Sequence, residues 1–334
     1  MTGLVKVIKV MKTICIYHSR DLDGWMSAAI VMRWFMEQHE EFVVRNSKDI
    51  VNSNTFGNDP APELFMLGWD YGDEIPKLSD YDKVIMCDIS FPTFEDFVGG
   101  FELIWIDHHK SAIEKVEQGI LENSAHIEGL RDVKFAACEL TWVYFFPAEP
   151  MPEIVRLLGR YDCFGHKGTG EEQKVLEFQY GARAVMSNYK ECYIHLNKSI
   201  KDSELYENED LTVEGDILSD GGAIYNYLKA EAKQIYSKAF EVWFDDGVQT
   251  SAGNSYKFLC VNQDRFNPIN FGIDYHKENY DGFACFWYKG GKWNFSLYND
   301  NGAVDCSVIA KQFGGGGHAG ASGFLVDDIH AIIG

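Results

Sequence analysis

Asp107-His108-His109 follows directly on the apolar run Phe101-Glu102-Leu103-Ile104-Trp105-Ile106. An acid with two imidazoles can hold a hard or borderline divalent cation. Open α/β sheets bind their ligands at the carboxyl ends of strands, so the position of this tripeptide matters as much as its composition. The same pattern recurs elsewhere. His18-Ser19-Arg20-Asp21-Leu22-Asp23-Gly24 closes the apolar run 13–17, and its His18, Asp21 and Asp23 lie within one turn, close enough to converge on one or two metals. Such a mixed set suits Mn²⁺, and less exclusively Mg²⁺, Zn²⁺ or Fe²⁺. The competing role for Asp21 or Asp23 is to cap the helix expected from Trp25.

Three further acids have the same setting. Asp70 in Trp69-Asp70-Tyr71-Gly72 and Asp88 in Met86-Cys87-Asp88-Ile89-Ser90 each end an apolar strand, and Arg160-Tyr161-Asp162 ends a helical stretch. Taken singly, each reads as a turn, a cap or, for Asp162, a partner of Arg160. Together they would crowd like charges at one sheet edge, which is costly unless cations lie between them.

A different chemistry is written in Phe313-Gly314-Gly315-Gly316-Gly317-His318-Ala319-Gly320-Ala321-Ser322-Gly323-Phe324. Consecutive glycines permit positive φ and expose amides, as an anion-binding nest requires. His318 and Ser322 add side-chain donors. A flexible linker would not be flanked by Phe313 and a run of small residues. A dinucleotide-binding loop is excluded, because no strand immediately precedes these glycines and they lie near the C-terminus.

The elements that must position these groups alternate. Apolar strands are expected at 13–17, 42–44, 63–67, 83–87 and 103–106, with a helix from Trp25 to His39 that turns Ala28, Ala29, Val31 and Met32 inward. Continuous apolar strands alternating with helices predict an α/β fold whose parallel sheet is covered on both faces. Residues 136–161 read as helical, interrupted around 147–152. The charged stretch 198–214 and a long helix from about Ala223 to Ala239 read as a connection. After it, 255–261, 282–288 and 293–297 suggest hairpins of a small mixed sheet, with a helix from Ser307 to Phe313. The expected division is 12–197 as the metal-binding domain, 198–239 as connector and 240–334 as a second, smaller α/β domain.

Composition narrows the classes. With 334 residues, 46% hydrophobic and 24% charged, the chain is globular and long enough for two cores. The net charge of −21 argues against a protein that wraps long duplex nucleic acid, because phosphate contacts need surplus Lys and Arg. It leaves room for a small anionic substrate reached through bound metal. No apolar stretch reaches the ~18 residues of a membrane helix. The eight cysteines form no CxxC pair and no secreted-type framework, which predicts a cytoplasmic setting. Met1 to Lys12 reads as a short extension before the first strand, with Met11 as an alternative start.

In this order, His18-x-x-Asp21-x-Asp23-Gly24, Asp70, Asp88, Asp107-His108-His109, Asp162 and Gly314-Gly315-Gly316-Gly317-His318 resemble the motifs of the DHH phosphoesterase superfamily with its DHH-associated C-terminal domain. The resemblance spans Lys12 to Val326. It implies a hydrolase of phosphoester or phosphoanhydride bonds, with two Mn²⁺ ions in a cleft between two domains and a metal-bridging hydroxide as nucleophile. Members include RecJ-like exonucleases, nano-RNases, cyclic-dinucleotide phosphodiesterases and exopolyphosphatases. Carried over, His18, Asp21, Asp23, Asp88, Asp107 and Asp162 would ligate metal, with Asp88 bridging. Asp70 and Arg160 would stand beside the site. Asp107, His108 and His109 would form the catalytic group, with His108 as ligand or general acid and His109 as a metal or phosphate contact. Gly315, Gly316, Gly317, His318 and Ser322 would hold the substrate phosphate.

The implied substrates are short single-stranded oligonucleotides or nucleotides. A polyphosphate, a cyclic dinucleotide or a phosphorylated metabolite is the alternative, and a non-catalytic nucleotide-binding member is the second. No membrane partner is expected, and a homodimer is admitted. Two departures stand out. The first motif is compact and lacks a proline. The Arg-Ser pair common in the C-terminal domain is replaced by Ser296-Leu297-Tyr298-Asn299-Asp300, leaving Arg265, Lys289 or Lys311 as the alternatives.

Overall fold

Strand β1 (Lys12–His18) is apolar on both sides because it lies at the centre of a sheet. The computed structural model describes residues 10–46, 49–56, 60–93, 101–123, 126–206, 208, 211–245 and 255–333. Around β1 it arranges β2 (Phe42–Asn46), β3 (Asp49–Asn54), β4 (Glu63–Trp69), β5 (Lys83–Cys87) and β6 (Glu102–Ile106) in the order β3-β2-β4-β1-β5-β6. All neighbours pair in parallel except β2 with β3. The chain goes from β1 to β2 and β4 on one side and returns to β5 and β6 on the other. The strand order therefore switches between β1 and β5, where α/β sheets open a ligand crevice at their carboxyl ends.

Both faces of this sheet are covered, as the unbroken apolar strands predict. Cys15, Tyr17, Met66, Ile85 and Ile106 pack under α1 (Leu22–Gln38), which contributes Ala28, Val31, Met32 and Phe35. Ile14, Ile16, Met86 and Trp105 face the other way, toward Ile113 and Val116 of α2 (Lys110–Asn123). The far side of α1 packs on α3 (Ala137–Phe145), α4 (Glu153–Asp162), α5 (Glu172–Val185) and α6 (Tyr189–Leu205).

The chain divides into Met1–Ile224 and Tyr225–Gly334, with the boundary inside α7 (Val213–Tyr236). The second unit carries β7 (Phe240–Asp245), β8 (Ser255–Asn262), β9 (Gly282–Lys289), β10 (Lys292–Tyr298), α8 (Cys306–Gln312), β11 (Gly316–His318) and β12 (Ala321–Val326). Its sheet order is β11-β12-β10-β9-β8-β7, and it is mixed because β8 and β9 run parallel. Phe295, Phe313 and Phe324 stack beside α8 in its core.

The expected α/β class holds, with a parallel sheet carrying one antiparallel edge strand and a second, mixed sheet. Several boundaries differ. Helix α1 starts at Leu22 rather than Trp25, because the Asp21 side chain caps it by accepting the Gly24 N–H at 3.0 Å. Helix α7 starts ten residues earlier than expected. Its first amide, Val213 N–H, donates to Asp202 at 2.9 Å, and Ser199 hydrogen-bonds Glu214, so buried polar partners organise the charged stretch. Residues 198–205 are the end of α6, not a connector. Polar β3 and short β11 were not expected. Among the described residues no helix is long and apolar enough to cross a membrane. Met1 lies outside the described residues, and with it the question of the start.

Gly24 fixes how close α1 comes to the end of β1, since a Cβ there would lie 2.1 Å from the His18 carbonyl oxygen. Gly24→Ala should therefore destabilise the protein by about 1–3 kcal/mol, as overpacking does. A urea midpoint equal to that of the wild type would refute this close approach.

Candidate metal centre

The acids at the carboxyl end of the first sheet reach one locus from five elements. His18 ends β1, and Asp21 and Asp23 open α1. Asp88 follows β5, Asp107 and His108 follow β6, and Asp162 closes α4. Asp88 has φ +63°, a left-handed conformation that Asp tolerates better than most residues. Its N–H donates to the Ile106 carbonyl at 2.9 Å, which ties the ends of β5 and β6 together.

Asp88 is 2% exposed and stands between two sets of ligand atoms. On one side its Oδ2 is 3.4 Å from His18 Nδ1, which is 2.8 Å from Asp21 Oδ2. On the other its Oδ1 is 3.3 Å from His108 Nε2. That nitrogen is also 3.2 Å from Asp162 Oδ2 and 3.6 Å from Asp23 Oδ2. Three groups result, His18–Asp21–Asp88, Asp23–His108–Asp162 and Asp88–His108–His109, each with its ligand atoms within 4.8 Å of one another.

These residues fit divalent cations. His18 Nδ1 is buried and, despite its two carboxylate neighbours, makes no hydrogen bond of acceptable geometry. Asp107 Oδ2 is likewise buried without a partner. Buried polar atoms are seldom left so, and a cation would satisfy them. The donors are imidazole nitrogen and carboxylate oxygen, a set suited to Mn²⁺ and related ions.

Without a cation the cluster holds protons in its place. Burial, and then the charge of Asp88, push Asp23 up to about 7. Burial and the charge of Asp23 do the same to Asp162, also to about 7. Asp88 is raised chiefly by burial. For His18 and His108 burial opposes the charge, but the surrounding carboxylates together outweigh it and raise each to about 10. Asp21 moves the other way, because His18 and the Gly24 N–H outweigh its burial.

Asp23 has a second task. Its Oδ2 accepts the Ala137 N–H at 2.9 Å and its Oδ1 the Cys138 N–H at 2.7 Å, so it caps α3 from 114 residues away. The cap expected at α1 is thus supplied by Asp21, while Asp23 caps α3 instead; neither role excludes metal binding, since each carboxylate oxygen has two lone pairs.

Asp107, expected as a ligand, belongs to none of the three groups. Its Oδ1 instead accepts the His108 N–H at 2.7 Å and the His109 N–H at 3.0 Å, and lies 2.8 Å from His109 Nδ1. Asp107 braces the turn that aims the two histidines. That hydrogen bond, above all, raises the pKa of His109. Asp70 stands beside the site, its Oδ1 3.7 Å from His18 Nε2. Arg160 pairs with Glu171 at 3.6 Å rather than with Asp162.

The glycine run departs further from expectation. Gly316–His318 is a strand paired with β12, not an open nest. The Gly314 and Gly315 amides are occupied by the Lys311 and Ala310 carbonyls, and the Ser322 hydroxyl donates to the His318 carbonyl at 2.6 Å. A Cβ on Gly315 would lie 2.1 Å from the Gly323 carbonyl, so this glycine serves close packing. Only the exposed His318 side chain stays free of these bonds. Arg20, which has no role among the expected site residues, donates through Nε to Asp70 Oδ2 at 2.6 Å. Its position between His18 and Asp21 was the available signal.

No family model matches the chain. Over 328 residues, 96% of this chain and 69% of the relative, it is 26% identical to the uncharacterized protein R106 of Acanthamoeba polyphaga mimivirus. Solved structures similar to it include a pGpG-specific phosphodiesterase, PggH, from Vibrio cholerae (10% identity, 95% and 93% of the two chains, TM-score 0.45). Others are an exopolyphosphatase-related protein from Bacteroides fragilis (16%, 94% and 86%, 0.43) and an uncharacterized protein from Helicobacter pylori G27 (13%, 96% and 94%, 0.34). At this level of similarity none of them decides what this chain does.

Proposed function

We propose that the protein is a divalent-metal-dependent phosphoesterase that hydrolyses phosphodiester bonds of short single-stranded oligonucleotides or nucleotides. One observation carries the reading: buried Asp88 turns one oxygen toward His18 and Asp21 and the other toward His108. The ordered motifs that resemble the DHH superfamily support it, and the charge of −21 favours a short substrate over a long duplex.

His18, Asp21 and Asp88 would hold one ion, and Asp88, Asp23, His108 and Asp162 the other; Mn²⁺ is the proposed metal. Bound there, two divalent cations lower the pKa of a water and offset charge growing on phosphorus. The chain supplies the remaining parts. Asp107 fixes His109 through Nδ1, and His109, half exposed and with its pKa raised, keeps a proton it can give to the leaving oxygen. Encircled by three carboxylates, His108 serves as ligand.

The test is a Mn²⁺-supplemented panel of dinucleotides, 5′-labelled single strands, cyclic dinucleotides and polyphosphate. Short strands should be cut, and a chelator or Asp88→Ala should abolish cutting. If none is hydrolysed and calorimetry detects no Mn²⁺ binding, the reading falls. His109→Gln should lower kcat about 10²–10⁴-fold while leaving Mn²⁺ affinity intact. A loss of metal would instead make His109 a ligand.

Stability should depend on pH in a metal-sensitive way. Folding raises Asp23 and Asp162 from 3.8 to about 7, and His18 and His108 from 6.5 to about 10. Such groups contribute stability that is full below their unfolded values and is lost as pH rises through the folded ones. Metal-free protein should thus weaken from about pH 4 to 7 through the acids and beyond 6.5 through the histidines. Cations replace those protons. The gap in Tm between Mn²⁺-loaded and EDTA-treated protein should widen from about pH 5 to 8, and a constant gap would contradict the shared-proton cluster.

A further inference from the structure

The metal centre is rich in carboxylates: Asp21, Asp23, Asp88 and Asp162 belong to its ligand groups, and Asp107 lies beside them. A phosphate approaching from solvent meets the most exposed of them, Asp21, whose side chain is 42% exposed. A side-chain cation near that carboxylate would offset its repulsion of a phosphate, and Arg20 precedes it directly in the chain.

Arg20 lies on the loop between His18 and Asp21, with 71% of its side chain exposed. A mobile surface arginine would be weak evidence. This one is tethered: Nε donates to Asp70 Oδ2 at 2.6 Å, leaving both terminal nitrogens without a hydrogen bond among the described residues. Asp70 is itself fixed, because its Oδ1 accepts the Tyr71 N–H at 2.8 Å and its own N–H donates to Asp73 at 3.0 Å. The same Oδ1 is 3.7 Å from His18 Nε2, which places the Arg20–Asp70 pair next to the imidazole that stands by Asp21 and Asp88. Several other arginines of the first unit have their forks engaged by structure. Arg156 spends its nitrogens on Glu153 and Glu171, and Arg131 donates to the carbonyls of Trp105 and Ile127.

We infer that Arg20 grips the substrate's phosphate. Its two free nitrogens form a planar fork that matches a pair of non-bridging phosphate oxygens, which a lysine, as a point charge, would hold less specifically. Asp70 is then a positioning residue. It lies beside the metal centre without joining a ligand group because its task is to orient this guanidinium. The inference rests on the phosphoesterase reading and adds to it a substrate-binding residue within the metal-bearing unit.

The test titrates inorganic phosphate by calorimetry into the full-length chain saturated with Mn²⁺, after Mn²⁺ affinity has been measured separately. Arg20→Ala should weaken phosphate binding at least tenfold and leave Mn²⁺ stoichiometry and affinity unchanged. Arg20→Lys should recover part of the loss, and Asp70→Asn should fall between Arg20→Ala and the wild type. In turnover, Arg20→Ala should raise KM more than it lowers kcat. Unchanged phosphate affinity in Arg20→Ala would overturn the inference and leave the proposed function standing. So would a Mn²⁺-loaded wild type that binds no phosphate. A wild type that binds no Mn²⁺ would remove both. Loss of Mn²⁺ binding in Arg20→Ala would show that the residue supports the metal site rather than the substrate.

Discussion

The structure depends on resolving the repulsion among the carboxylates gathered around Asp88. Unit charges about 4 Å apart interact by about 4 kcal/mol even at an effective dielectric of about 20. Asp23 and Asp88 are almost wholly removed from water, and Asp162 largely so. Without cations, burial and mutual repulsion favour the protonated acids, and the carboxylates around them favour the protonated histidines. A cation in each half would remove the repulsion without protons. The same few residues thus set both the stability of the first unit and its chemistry.

The scaffold makes this crowding tolerable by giving the acids structural work as well. Asp21 caps α1, Asp23 caps α3, and Asp107 ties down the turn that carries both histidines. Caps of this kind typically contribute about 1 kcal/mol each. Hydrogen bonds to backbone N–H groups favour the charged carboxylate and offset part of its burial. Dual use has a consequence for mutation: removing Asp23 takes away a ligand atom and unseats a helix 114 residues distant. The loop residues Arg20 and Asp70 carry no such burden in the core, so they are where binding can be altered with the metal centre intact.

Much of the site was legible because strand ends are legible. Continuous apolar runs ending in Asp or His at 18, 70, 88 and 107 place polar groups at one edge of a parallel sheet, and the candidate ligand groups gather there. The glycine run misled because glycine is equally compatible with an open nest and with strands packed too closely for a Cβ. Gly315 against the Gly323 carbonyl is the second case. The charged stretch 198–214 misled similarly, since local polarity cannot reveal that Asp202 and Glu214 are buried against partners from neighbouring helices.

By itself the sequence determined the ligand types, their order and the strands that deliver them, because hydrophobic periodicity and residue chemistry are local properties. Only the tertiary structure decided which of them come together and what each contacts. That one oxygen of Asp107 braces its own loop while the other stays buried without a partner depends on side-chain direction at the end of β6. Whether Arg20 is a free surface charge or an oriented fork depends on Asp70, fifty residues away on β4's edge. The joint position of Asp88 between two ligand groups depends on the register of β1, β5 and β6, which no single segment encodes.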